Sequence, residues 1–203
     1  MSYPAAAGLG LLAALALPPL RAGLEGIMWT HMLVQIPLLI VAGALLGSAL
    51  PARWRAALAP WDRAGVAGLL LALFALAWWM LPRHLDAALE SAAVDAAKFA
   101  SLALLVGLPL RLSWPRVPFV LRGVVASKLV AMLAVMGWLY LVAPLRVCNN
   151  YLVSDQETLG RLLLLAALGL GLALALRAFT LDGRTSQAHQ HAVTQPQGAA
   201  HAD

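Results

Sequence analysis

A chain of 203 residues that is 62% hydrophobic and only 11% charged, with a mean hydropathy of +0.82, carries more apolar surface than a soluble domain of this length can fold inward. It reads as a polytopic membrane protein. Its 14 basic and 9 acidic residues give a formal charge of +5. In a soluble chain that balance would suggest nucleic acid, but here the arginines flank apolar segments and have a topological explanation, so no nucleic-acid partner is expected. One cysteine, Cys148, excludes an internal disulfide and any CxxC motif.

In chain order, Met1 to Leu20 is apolar, ends in Pro18 and Pro19, and lacks the basic start of a secretory signal, so it reads as a short first span. Ile27 to Leu50 is the second, with a kink expected at Pro37 and a stop at Pro51. Ala64 to Leu81 is the third. Pro82 ends it, and from Leu85 the pattern predicts an unbroken helix to Gly107 and Pro109, giving a fourth span over Leu85 to Leu110. Phe119 to Leu145 and Leu159 to Phe179 are the fifth and sixth. Residues 1–180 thus form one transmembrane helical bundle, and the Ala-, Gln- and His-rich residues 181–203 are expected to be a disordered polar cytoplasmic tail.

Charge orients the spans. Arg53, Arg55 and Arg63 lie between the second and third, Arg111, Arg116 and Arg122 between the fourth and fifth, and Arg177 and Arg184 flank the tail. That side is predicted to be cytoplasmic, with both termini inside. The opposite loops pair arginine with acid: Arg21 with Glu25, Arg83 with Asp86 and Glu90, Arg146 and Arg161 with Asp155 and Glu157.

This topology places Met28, His31, Met32 and Gln35 near the outer end of the second span, Trp78, Trp79, Met80 and His84 at that of the third, and Cys148 at that of the fifth. Imidazole and soft sulfur suit Cu(I), so His31, Met28, Met32 and His84 are the candidate metal ligands. Packing and interfacial anchoring are the alternative for the methionines and tryptophans. His189, His191 and His201 lie in the tail, where nothing would orient them.

The charges inside the spans form a second candidate site. Only Lys98 and Lys128 are lysines, and both fall within apolar segments. With the outer boundary near Leu85, Lys98 would lie about 18–20 Å along its helix, near the bilayer midplane. Asp86 and Glu90 share one helix face, whereas Asp95 and Lys98, three apart, can form an ion pair. Consecutive antiparallel spans would bring Lys128 close to Lys98, and one carboxylate cannot neutralise both. Either Lys128 reaches the inner interface, or one lysine gives up its proton or binds an anion such as a haem propionate or lipid phosphate. No nucleophile–base–orienter set, Gly-rich phosphate loop or HExxH motif is present, so an enzyme is not expected.

HMLVQIPLLIVAG at 31–43, WWMLPRHLDAAL at 78–89 and RLSW at 111–114 together resemble the CtaG-like cytochrome c oxidase assembly family over roughly residues 29–114. The resemblance implies a multi-spanning protein of a bacterial inner membrane that assists copper insertion into a respiratory oxidase, with oxidase subunits as partners. His31 matches the first of that family's histidine pair. Gln35 stands where the second would be, and no histidine falls in the helix after WWMLP.

The sequence therefore predicts an all-α transmembrane bundle of about six spans. Its leading function is an assembly factor for a respiratory oxidase that handles copper at the outer face. Two alternatives stand beside it: a small proton- or anion-coupled transporter using Asp95, Lys98 and Lys128, and a structural subunit of a membrane complex.

Overall fold

The computed structural model describes residues 2–143, 146, 147 and 150–194, with the side chains of 179 and 181–194 excepted. Cys148 and residues 195–203 lie outside these. The described residues form helices α1 (Tyr3–Ala16), α2 (Pro18–Glu25), α3 (Met28–Ser48), α4 (Ala52–Leu58), α5 (Val66–Trp79), α6 (Pro82–Glu90), α7 (Ala92–Arg116), α8 (Phe119–Val142) and α9 (Val153–Thr194). Four of them, α3, α7, α8 and the Val153–Ala178 part of α9, are long and apolar enough to cross a membrane. The bent pairs α1–α2 and α5–α6 raise the number to six if each is one span. This is the helix set of a membrane protein. The backbone of α9 runs past Leu181 to Thr194.

Proline sets the first two bends. Leu17 and Leu81 each precede a proline and are extended, at ψ 128° and 124°, because the proline ring disfavours the helical region for the residue before it. The following prolines open α2 and α6, where their missing N–H costs nothing. The axes turn by 71° and 69°.

Two further prolines do something else. Pro37 and Pro109 sit inside α3 and α7, each directly after a π-helical turn, at His31–Gln35 and Leu102–Gly107. The residue before each proline, Ile36 or Leu108, donates its N–H five residues back, to His31 or Ala103. The inserted residue accommodates a proline that cannot donate and would crowd the carbonyl four positions earlier. Pro109, expected from sequence to mark the end of its span, is thus carried inside a helix that continues to Arg116.

The unbroken helix expected from Leu85 is interrupted at Ser91, extended at φ −129° and ψ 119°. Neither glycine nor proline marks that break. Because α7 starts afresh at Ala92, Lys98 lies only about 9 Å along it at 1.5 Å per residue, within its first third.

One apolar core joins α1, α3, α5, α6 and α7 through Leu15, Leu39, Ala72, Trp79, Leu85 and Leu102. Glycine brings two of these helices into backbone contact. A Cβ on Gly43 would strike Ala103, and one on Gly107 would strike the Ile40 carbonyl, so α3 and α7 cross where both lack side chains. A second core, Met28, Tyr140, Tyr151, Leu159 and Leu163, fastens the α8–α9 hairpin to the start of α3.

Candidate functional site

The ends of α2 and α6, the starts of α3, α7 and α9 and the breaks between them meet at one end of the bundle. Most of what they enclose is apolar. Among it is a connected set of polar side chains: Arg21, Glu25, His31, Gln35, Asp95, Lys98 and Tyr151.

Lys98 is its centre and has no exposed surface. Its ammonium lies 2.9 Å from Glu25 Oε1, 2.8 Å from Asp95 Oδ1 and 3.2 Å from His31 Nε2. Arg21 closes the ring, with Nε 3.1 Å from Glu25 Oε2 and Nη2 2.8 Å from Asp95 Oδ2. Two positive and two negative charges therefore balance. Burial of this kind is tolerated only when each ion is paired, because desolvating an unpaired ion costs several kcal/mol.

The hydrogen bonds fix the imidazole. Tyr151 gives its hydroxyl proton to the Glu25 carbonyl oxygen at 3.0 Å, so in the 2.6 Å contact between Tyr151 and His31 Nδ1 the imidazole must donate. Nε2 is then the acceptor, receiving a proton from Lys98. His31 is a neutral ring held between a cation and a phenol. Gln35 donates from Nε2 to Glu25 Oε1 at 3.0 Å, whereas its buried Oε1 has no hydrogen-bond partner among the described residues. A buried acceptor left so costs about 1–3 kcal/mol.

The network is reached from one side. A groove of about 440 Å³ between α1 and α7, lined by Ala13, Ala16, Ala92, Ala96 and Phe99, ends on Arg21 and Asp95. Alanine leaves this room where larger side chains would close the helices together.

The candidate copper ligands sit in packed or hydrogen-bonded settings. Met28 is buried with Tyr140, Tyr151, Leu159 and Leu163, and Met32 packs against both cores. His84 stacks on Trp78 with ring centroids 4.2 Å apart. It donates from Nδ1 to the Trp78 carbonyl at 2.8 Å and accepts from Arg83 at Nε2 at 3.4 Å. Each histidine thus offers its lone pair to a cationic side chain, the position a metal ion would need. No group of three or more His, Cys, Asp or Glu suited to a metal occurs among the described residues.

Of the charged candidates, Asp95 and Lys98 pair as their spacing predicts. Lys128 does not join them. It lies exposed on α8, which packs along α9, so the expected approach of the two lysines does not occur. Asp86 accepts from Asn150 at 3.3 Å, and Glu90 is exposed. Sequence reasoning assigned Arg21 and Glu25 to an outer loop and passed over Tyr151. The available signal was an acid and an arginine four apart in a short segment opened by Pro18 and Pro19.

The chain matches no family model, no curated protein and no solved structure. Fold and site together define an all-helical protein with four to six candidate membrane spans and a buried, charge-balanced network at one end.

Proposed function

We propose that the chain is a proton-coupled membrane transport protein whose coupling site is the network around Lys98. The observation that supports this most is the simultaneous contact of a fully buried lysine with two carboxylates and a neutral histidine. Ionisable groups inside membrane proteins are expensive to keep and mark ion or proton pathways. In a network whose charges sum to zero, one proton added to Glu25 or Asp95, or lost from Lys98, leaves a charge without compensation. That imbalance would drive rearrangement, and the breaks at Leu17, Leu81 and Ser91 supply the joints.

With the arginine-rich connections facing the cytoplasm and six spans, the network would face outward and both chain termini inward. The groove between α1 and α7 then admits substrate or water to Asp95 and Arg21. The alternative of oxidase assembly with copper on His31, Met28, Met32 and His84 rests on the sequence resemblance alone. The engagement of His31 by Lys98 and Tyr151 favours proton handling over it.

Purified protein in liposomes loaded with a pH-sensitive dye tests the proposal. An imposed pH or electrical gradient should move protons faster than through protein-free liposomes, either unaided or when candidate solutes are added. Identical dye traces with and without protein across a broad solute panel would count against it.

A further inference from the structure

The opposite end of the bundle carries a different combination of charge and space. Arg55 on α4 and Arg111 and Arg116 on α7 line a cavity of about 200 Å³ with Gly47 and Ser48. Two of these arginines are held in place. Arg111 donates from Nε to Ser48 Oγ at 3.0 Å, and Arg116 lies 3.4 Å from Asp62 Oδ2. Gly47 permits the approach, since a Cβ there would lie 3.1 Å from the Leu108 carbonyl and 3.3 Å from the Arg111 Cβ. Of the three guanidinium groups, only that of Arg116 faces a carboxylate among the described residues. An apolar cavity of about 300 Å³ adjoins this one, lined by Leu58, Leu71, Leu104 and Leu108 and sharing Leu112 and Arg116 with it.

We infer that these two compartments form a binding site for an anionic phospholipid, with the phosphate among Arg55, Arg111 and Arg116 and an acyl chain along Leu71, Leu104 and Leu108. Guanidinium groups match phosphate oxygens in shape and charge. Basic pockets between spans at the interface are where anionic headgroups dock. A free phosphate would use the arginines but would leave the apolar cavity without a function. The lipid uses both. The site stands at the end of the bundle away from Lys98 and does not depend on the transport reading.

The test is competition for retained lipid. Protein purified in neutral detergent is exposed to equimolar phosphatidylglycerol and phosphatidylcholine and analysed by native mass spectrometry. Wild-type protein should keep the anionic lipid at least tenfold in preference. Arg55→Gln combined with Arg111→Gln should erase that preference, and Leu71→Trp, which fills the apolar cavity, should reduce lipid retention while inorganic phosphate binds as before. Equal retention of the two lipids by wild-type protein would overturn the inference without recourse to any variant. It would also fail if the double arginine variant kept its preference, or if Leu71→Trp left lipid retention unchanged, showing that the apolar cavity takes no part in holding the lipid.

Discussion

Lys98 and Glu25, 73 positions apart in the chain, meet at 2.9 Å inside the bundle. The contact joins the short helix after the first proline bend to the helix that follows the Ser91 break. Stability is therefore expected to depend on the pairing. Lys98→Met leaves Glu25 and Asp95 with only Arg21 between them and should cost about 3–5 kcal/mol, the usual penalty for stranding a buried ion. Adding Asp95→Asn restores neutrality and should recover more than half of the loss, read from unfolding midpoints in detergent.

Tyr151→Phe removes both the acceptor for His31 Nδ1 and the donor to the Glu25 carbonyl. A destabilisation of about 1–3 kcal/mol is expected, since two buried groups lose their partner at once. An unchanged melting temperature would show that the link between α9 and the network carries no energy.

Glycine gives a contrast that can be measured on one preparation scheme. Gly43→Ala places a methyl group against the Ala103 backbone, where no flexible side chain can yield, and should cost at least the roughly 1–3 kcal/mol typical of overpacking. Gly10→Ala meets nothing within 4 Å and should be neutral or stabilise by about 0.5–1 kcal/mol through helix propensity.

The copper reading makes its own prediction. With Nε2 of His31 accepting from Lys98, wild-type protein truncated at Asp182 should bind Cu(I) weakly under reducing conditions. The Lys98→Met, Asp95→Asn variant frees that nitrogen and adds a thioether, and should bind at least about tenfold more tightly, the scale on which ligand support acts. Tight binding by the wild type, lost on His31→Ala, would restore the copper site read from sequence.

Some of this was legible in the residues. Apolar runs bounded by Pro18, Pro51 and Pro82 located the helical segments, and the three-residue spacing of Asp95 and Lys98 foretold their pair. The break at Ser91 was not legible, because serine is a permitted helix residue and only the packing of α6 and α7 shows the chain turning there. Its omission counted Lys98 about 10 Å further along its helix and suggested Lys128 as a neighbour. Arg21 and Glu25 read as an ordinary surface pair at four-residue spacing. Nothing local says that the 71° bend at Leu17 folds them against α7. The prolines misled in one case: Pro109 looked like a terminator, while the π-turn before it lets the helix continue.

The network around Lys98 is expected to do more than hold the helices together. The direct measurement combines stability and proton flux on one variant, Asp95→Asn with Lys98→Met, reconstituted in liposomes at wild-type density. A melting temperature within a few degrees of wild type and proton flux reduced at least a hundredfold are expected. A variant that is equally stable and moves protons at the wild-type rate would contradict this, and would leave the four charges as a structural joint.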